Sequence, residues 1–398
     1  MTYLEETEAS GRVIFPDLAR AWALFGIALV NVGMFAYPMN LGGYAAGGLS
    51  SGVDVAATYS VNALFLMKSY TLFAFMFGVG FAFQLASADR AGVSFAGRYW
   101  RRILGLFFFA AINIILFFQG DILFIYGLLG SLLFFFRKLS ARALVRWAMG
   151  LYLAQVLLLI LFAGFTAMGH AYAPESMAKD AALMAADGKA ALAIYSEGSF
   201  LQTVQARTHE WTEAIVFMLL FQGIGAMSFF LFGLAAVRND LISKPAADFW
   251  QRARWRYLPI GLIISGFGAW VILGSTSMMS NESMTGMALI ALGAPFSTAG
   301  YLGLIAKWSL STPGPIKTFF ARGGTASLTA YLMQNMLLSI IFYGFGFGFY
   351  AELGAAQCIL IAAIVALFTI GFTSVWRVAF KRGPLEYLLR GWTYLKFG

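Results

Sequence analysis

The chain has 398 residues, of which 60% are hydrophobic and only 11% are charged, and its mean hydropathy is +0.77. A soluble domain carries roughly 25% charged residues, so this composition excludes a soluble globular protein and indicates a polytopic membrane protein. One cysteine, Cys358, and two histidines, His170 and His209, argue against disulfides and against a cysteine- or histidine-rich metal site. The basic residues behind the net charge of +9 lie at membrane edges, so they predict no nucleic-acid partner.

The chain starts with a polar, acidic stretch, residues 1–10, that lacks the basic beginning of a cleaved signal peptide. We therefore expect the mature chain to begin here. The apolar segment that follows, residues 12–35, is long enough to cross a bilayer, yet it contains Asp17, Arg20 and Asn31. Inserting an ionisable side chain near the bilayer centre costs roughly 2.5–3.5 kcal/mol of free energy, so the presence of Asp17 and Arg20 requires an explanation.

Asp17 and Arg20 are three residues apart, so they share one face of a helix and can pair. The pair has two interpretations. It fixes the depth of the helix near the membrane surface, or it belongs to a polar face that lines a site inside the helix bundle.

Ten apolar segments predict an all-α transmembrane bundle of about ten spans in a single domain, residues 1–398. The second segment is longer than one span requires and is interrupted at Lys68, so it is one long helix, a broken helix or two segments. The predicted spans are residues 12–35, 53–85, 103–118, 122–136, 144–167, 211–237, 258–273, 284–306, 327–350 and 356–380.

The 27 Lys and Arg residues are distributed very unevenly between alternate connections. Lys179, Lys189 and Arg207 fall on one side, Arg20 and Lys68 lie within apolar segments, and all the others fall on the second side. By the positive-inside rule this asymmetry predicts both termini in the cytoplasm and an even number of spans.

Two segments outside the spans are predicted to lie on the membrane surface. The long connection 168–210 is predicted to be extracytoplasmic and to form short amphipathic helices on the outer face. Residues 383–398 open with Gly-Pro and are rich in aromatic and basic residues, which predicts an interfacial helix on the cytoplasmic side.

Three polar residues in the first half of the chain are candidate site residues, and each has a structural alternative. Lys68 near mid-membrane must pair or lose its proton, and Asp17 or Asp121 could be its partner. Asn113 lies on the third span. Asp121 follows Gly120 between two short spans, and it is predicted at the outer surface, where a helix N-cap explains it without a function.

The ninth span carries a polar stripe that includes Tyr331 and Gln334. The stripe lines the same site, or it only joins helices by hydrogen bonds. The glycine-rich runs 77–80 and 345–349 lack the strand context of a phosphate loop, so they predict close helix packing.

Six groups of residues occur in a fixed order along nearly the whole chain. They are Arg12, Asp17, Arg20, Val30 and Asn31; Lys68, Ser69, Leu72, Phe73, Phe77, Gly78 and Gly80; Gly120 to Leu123 with Tyr126; Tyr195, Gly198, Ser199, Phe200 and Arg207; Gly324, Leu328, Thr329, Tyr331 and Gln334; and Gly383, Pro384, Glu386, Arg390, Thr393 and Tyr394. This pattern resembles the YeiB-type bacterial membrane proteins, which are related to transmembrane acyltransferases such as heparan-alpha-glucosaminide N-acetyltransferase.

The resemblance implies a protein of the bacterial inner membrane that transfers an acyl group. A donor of the acyl-CoA type would enter from the basic cytoplasmic face, and a small-molecule, lipid or glycan acceptor would bind outside. Asp121 and Asn113 are the candidate catalytic residues, with Asp121 as the base. The candidate substrate-binding residues are Asp17, Arg20, Asn31, Lys68, Arg207, Tyr331 and Gln334. No cofactor is identified, and the oligomeric state is open, a homo-oligomer included.

One departure from the family pattern concerns catalysis. Seven residues before Gly120, family members commonly have His, and this chain has Asn113, whose carboxamide does not titrate near neutral pH. On a continuous helix Asn113 and Asp121 would lie about 12 Å apart, so the aspartate could not simply replace the histidine. The alternative function is therefore a non-catalytic transporter or binding protein that uses the same polar cavity.

Overall fold

The structure is a computed structural model that describes residues 13–275, 277 and 279–395. The expectation about the start of the chain falls on residues 1–12, and the end of the predicted interfacial helix falls on residues 396–398, so both lie outside the described residues. Within the described ranges the chain is helical and has no strand. The all-α fold class is thus confirmed.

The described part of the chain forms helices that we number in chain order. They are α1 (Phe15–Ala36), α2 (Gly52–Leu64), α3 (Lys68–Arg90), α4 (Phe95–Leu116), α5 (Leu123–Leu133), α6 (Ala141–Tyr172), α7 (Pro174–Glu197), α8 (Phe200–Met218), α9 (Ile224–Arg238), α10 (Asp248–Arg252), α11 (Leu258–Ile272), α12 (Asn281–Ser309), α13 (Pro315–Gly324), α14 (Ser327–Phe342), α15 (Ala355–Ala379) and α16 (Pro384–Tyr394). Short π-helical turns join α8 to α9 and α10 to α11.

Eight helical segments of the described chain are long and apolar enough to cross a membrane. They are α1, α2 with α3, α4, α6, α8 with α9, α10 with α11, α12 and α15. The other two predicted spans correspond to α5 and α14, which have 11 and 16 residues and are shorter than the roughly 20 residues of a full span. The protein is a multi-pass membrane protein, with two short helices inside the bundle.

The second predicted span is a broken helix. Helix α2 ends at Leu64, α3 begins at Lys68, and Met67 between them has a left-handed backbone with φ of 65°. The Lys68 ammonium donates a 3.3 Å hydrogen bond to the carbonyl oxygen of Asn62, in the last turn of α2. The break therefore leaves a carbonyl group that the lysine side chain satisfies.

Helices α4 and α5 form an antiparallel hairpin that returns to the end from which it started. The Tyr99 hydroxyl, near the beginning of α4, donates a 2.7 Å bond to the carbonyl oxygen of Gly130, near the end of α5. The rings of Phe95 and Phe134 stack at the same end, with centroids 6.1 Å apart. Helix α5 has only 11 residues, and Asp121 in the reversal has no exposed surface, so the reversal lies within the bundle.

The two ends of the bundle differ in chemistry. We call the end that holds α16 and the start of α4 the basic end. Here Arg101 Nε donates to the Thr393 carbonyl oxygen at 2.9 Å, and Trp392 Nε1 donates to the Arg101 carbonyl oxygen at 2.7 Å. We call the other end the aromatic end, because a buried cluster there contains Phe35, Phe118, Tyr195, Tyr343 and Tyr350.

The connection 168–210 is helical, but the prediction of short helices is wrong. Helix α6 continues to Tyr172, the 24-residue helix α7 follows, and α8 begins at Phe200. In α7 only Gly188 and Tyr195 are buried. The segment is rich in Ala, Met and Leu, which are strong helix formers, and this favours one long helix over several short ones.

Two glycines allow neighbouring helices to approach closely. A Cβ atom at Gly78 on α3 would collide with the backbone of Phe230 on α9, which confirms the packing role predicted for the run 77–80. A Cβ atom at Gly324 would collide with the carbonyl group of Asp17. The second contact brings the end of α13 against the charged turn of α1, and α14 then leaves at an angle of 86°.

Candidate functional site

The centre of the candidate site is a hydrogen bond between Asn113 and Asp121. Asn113 Nδ2 donates to Asp121 Oδ1 at 2.7 Å, and neither side chain has any exposed surface. The predicted separation of about 12 Å is wrong, because α4 ends at Leu116 and the Phe118 amide turns back to bond the Asn113 carbonyl at 2.7 Å. The predicted surface position of Asp121 is wrong for the same reason.

Two further donors face the Asp121 carboxyl group. The backbone N–H of Phe124 donates to Oδ2 at 2.9 Å, so Asp121 satisfies an orphan amide in the first turn of α5. The Tyr331 hydroxyl on α14 lies 3.4 Å from Oδ1. The aspartate therefore has the predicted role at a helix N-terminus and also joins three separate parts of the bundle.

The network continues into α14 through a second amide. Asn335 Nδ2 donates to Asn113 Oδ1 at 3.2 Å, and Asn335 is buried. Asn113 is thereby both a donor and an acceptor, which a carboxamide can do in a fixed orientation. The predicted polar stripe of the ninth span thus belongs in part to this site, through Tyr331 and Asn335.

A second carboxylate, Glu386 on α16, holds the beginning of α14. Its Oε1 accepts from the Leu328 amide at 2.7 Å, and its Oε2 accepts from the Thr329 hydroxyl at 2.6 Å. Burial raises the pKa of Glu386 above its usual value, and these hydrogen bonds oppose the rise. Thr329 and Tyr331 are two residues apart, so the first turns of α14 connect Glu386 to Asp121.

A pocket of about 250 Å³ opens beside Glu386 at the basic end. Its lining contains five basic side chains and one acidic one. The basic residues are Arg102, Arg377, Lys381, Arg382 and Arg390. Arg102 Nε is buried and has no hydrogen-bond partner among the described residues, so the pocket holds a donor that an anion could use.

The predicted pair of Asp17 and Arg20 is confirmed. Arg20 Nη1 lies 3.1 Å from Asp17 Oδ1, and the aspartate side chain is only 2% exposed while the arginine is 23% exposed. The pair lies in the first turns of α1, where α13 packs against it. It therefore faces protein and not lipid, which is how charged groups are tolerated in membranes.

Three predicted site residues lie apart from the Asp121 network. Lys68 bonds the Asn62 carbonyl, so the predicted pairing with Asp17 or Asp121 is wrong. Gln334 Nε2 donates to Thr369 Oγ1 on α15 at 3.1 Å. Asn31 is half-buried on α1. Lys68 and Gln334 do not join the Asp121 network, because Lys68 bonds a carbonyl group at a helix break and Gln334 bonds α15.

Arg207 lies at the aromatic end, far along the chain from the other candidates. It is fully buried on α8, and its guanidinium carbon is 5.7 Å from the centroid of the Tyr343 ring. The resemblance identified this arginine, but no feature of the sequence predicted a partner for it.

Sequence reasoning missed the role of Glu386 and the basic pocket. The spacing of Glu386 and Arg390 indicates a pair on one helix, whereas the glutamate instead caps a helix that begins about 60 residues earlier. The signal available was Pro384 in the first turn of a short helix rich in basic residues. No group of three or more His, Cys, Asp or Glu residues that could hold a metal occurs in the described ranges.

Comparison with known proteins identifies homologues that share nearly the whole chain. Residues 236–396 match a family described as a protein of unknown function (DUF418). The uncharacterized protein YxaH of Bacillus subtilis (strain 168) is 28% identical over 415 positions, covering 100% of this chain and 98% of the relative. The uncharacterized protein YeiB of Escherichia coli (strain K12) is 24% identical over 417 positions, covering 94% of each chain.

A shorter match is to a 39.9 kDa protein of Bacillus acidopullulyticus, 33% identical over 133 residues and covering 34% of that relative. No solved structure matches the chain. The predicted resemblance to YeiB-type proteins is thus confirmed as homology, and the relation to acyltransferases stays a prediction.

Proposed function

We propose, from the homology to YeiB- and YxaH-type proteins and from the basic pocket beside Glu386, that this protein is an acyltransferase of the bacterial inner membrane. Its donor would be a thioester of the acyl-CoA type, bound at the basic end, which the distribution of Lys and Arg predicts to be cytoplasmic. The acceptor, a small molecule, lipid or glycan, would approach from the aromatic end.

The observation that carries the proposal is the arrangement of the basic pocket. Five cations surround a space of about 250 Å³, and the one carboxylate among them, Glu386, is already bonded to the start of α14. Guanidinium groups bind phosphate oxygens with paired, charge-assisted hydrogen bonds. The pocket is below the roughly 300–1,000 Å³ of drug-sized ligand sites, so it would hold the phosphate part of the donor.

Asp121 is the proposed base for the transfer. The attacking O–H or N–H group of the acceptor would give its proton to the Asp121 carboxylate while its oxygen or nitrogen bonds to the thioester carbonyl carbon. The carbon–sulfur bond then breaks, and the thiolate takes up the proton as free thiol. Asn113 and Tyr331 would hold the carboxylate in place. Since Asp121 has no exposed surface, the side chains that cover it must move before substrates meet.

A second candidate function, a non-catalytic transporter or binding protein, is favoured by one observation. The Asp121 carboxyl group is buried with three donors, and the side chain of its neighbour Asn113 does not titrate near neutral pH. Such a network can position a ligand without exchanging protons.

The test is binding of labelled acetyl-CoA to the purified full-length protein. The double variant Lys381→Gln/Arg390→Gln should bind at least tenfold more weakly than the native protein, because two of the five cations are lost. The matched control, Arg142→Gln/Arg146→Gln, removes the same charge from exposed positions on α6. Equal weakening by both pairs would indicate only a general charge effect and would contradict a specific donor site.

A further inference from the structure

The aromatic end contains a buried cation that the chain does not satisfy. Arg207 has no exposed surface, and its Nε, Nη1 and Nη2 atoms have no hydrogen-bond partner among the described residues. A guanidinium group has five N–H donors and cannot lose its charge in a protein. All of its hydrogen-bonding capacity is therefore directed into the protein interior without an acceptor from the described chain.

The contacts that Arg207 does make are too weak to explain its burial. The face of the Tyr343 ring at 5.7 Å provides a modest cation–π attraction, which is smaller than the effective cost of burying an ion. Glu210, one turn further along α8, accepts a 3.0 Å bond from the Tyr195 hydroxyl. It interacts with Arg207 electrostatically but makes no hydrogen bond to it.

A second unsatisfied donor lies next to this cation. The hydroxyl of Tyr343 is buried without a hydrogen-bond partner among the described residues, although buried tyrosine hydroxyls normally have one. The Tyr343 ring is fixed by Tyr195 and Tyr350, whose centroids lie 4.7 and 5.9 Å away. The guanidinium therefore lies against the ring that carries the unsatisfied hydroxyl, and both groups require an acceptor.

We propose that Arg207 and Tyr343 form a binding site for a singly charged oxyanion, a carboxylate or a phosphodiester, at the aromatic end. The planar guanidinium matches two oxygens of such a group, and the tyrosine hydroxyl supplies a further donor. The nearby Glu210 reduces the net positive charge of the site, which disfavours a doubly charged anion. The ligand is therefore a carboxylic acid or a phosphodiester of a lipid or a small molecule.

The inference that this site binds an oxyanion stands by itself. Only the further step, that the oxyanion belongs to the acyl acceptor, rests on the proposed function. Binding itself needs no donor and no transfer. Anion binding at this site is measured without acyl-CoA. A negative acyl-transfer assay therefore does not contradict the anion site, and a negative anion-binding assay does not contradict donor binding in the basic pocket.

The test measures the melting temperature of the purified full-length protein in a neutral detergent at constant ionic strength. The probes are acetate, dimethyl phosphate and phosphatidylglycerol, each compared with chloride. We expect at least one probe to raise the melting temperature of the native protein by several degrees. Arg207→Gln should lose the shift, and Arg142→Gln, which removes an exposed cation from α6, should keep it. A shift with phosphatidylglycerol alone identifies a lipid ligand, and a shift with acetate or dimethyl phosphate identifies a small one.

A second variant keeps the inference testable if Arg207→Gln does not fold. Tyr343→Phe retains the ring that supports Arg207 and removes only the unsatisfied hydroxyl, so its melting temperature without probe should stay near the native one while the shift becomes smaller. The inference is overturned if no probe shifts the native protein, or if both variants at this site retain the full shift.

Discussion

Asn113 and Asp121 share a 2.7 Å hydrogen bond although they stand at the two sides of a helix end. The contact exists because α4 stops at Leu116 and the chain reverses inside the bundle, where the ring of Phe118 stacks on that of Phe35. Asp121, which the order of spans in the sequence predicts at the membrane surface, is thereby buried inside the protein. Its three donors make it the polar centre of the molecule.

The first prediction concerns the stability of this network. Asp121→Ala leaves the Phe124 amide and the Asn113 carboxamide without an acceptor, and each unsatisfied buried group costs about 1–3 kcal/mol. Asp121→Asn keeps one oxygen and should cost less. Thermal unfolding of the purified protein should rank native above Asp121→Asn above Asp121→Ala. The exposed carboxylate Asp89 provides the control, since Asp89→Ala should change little.

The second prediction concerns the pair of Asp17 and Arg20. Arg20→Ala removes this ion pair from the nearly fully buried Asp17, and loss of a charged partner of a buried carboxylate is destabilising. Because the two residues stabilise each other, the fall in melting temperature of Asp17→Ala/Arg20→Ala should be smaller than the sum of the falls of the two single variants. A double variant that melts at the temperature expected from simple addition of the two single losses would show that the residues do not interact.

The extent to which the sequence predicted these results can be seen at particular residues. The Asp17–Arg20 pair follows from spacing within one helix, and the helical class follows from composition, so both were predictable. The contacts of Asp121 and Glu386 were not, because each depends on where a helix ends and on partners 8 to about 200 residues away. Hydropathy alone also did not show that the fourth and ninth predicted spans contain helices, α5 and α14, that are shorter than a full span.

The third prediction uses the titration of Glu386. Its pKa is raised in the folded protein, so above the ordinary value of 4.5 the folded state holds a proton that the unfolded state has lost. The free energy of unfolding should therefore fall as the pH rises from 4.5 through the folded-state pKa. Glu386→Gln removes this dependence while retaining an oxygen that can accept from Leu328. Melting temperatures between pH 4.5 and 7.5 measure this pH dependence. The control Glu352→Gln changes an exposed position and should show the same dependence of melting temperature on pH as the native protein.

The fourth prediction is the orientation in the membrane. Cysteine introduced at Ala186 on α7 should react with a membrane-impermeant thiol reagent in intact cells, and cysteine at Ser243 should react only after lysis. Both positions are exposed, and the native Cys358 is buried, which gives a low background. Labelling of Ser243→Cys but not Ala186→Cys in intact cells would reverse the predicted orientation.

The proposed acyl transfer is tested by following label from acetyl-CoA in membranes that contain the native protein, Asp121→Asn or Asn113→His. If Asp121 is the base, the native protein transfers the label and Asp121→Asn loses roughly 10²–10⁴-fold in rate. Undiminished transfer by Asp121→Asn would eliminate Asp121 as the base. Transfer by Asn113→His alone, with a silent native protein, would contradict the proposed activity and identify the native chain as a non-catalytic relative.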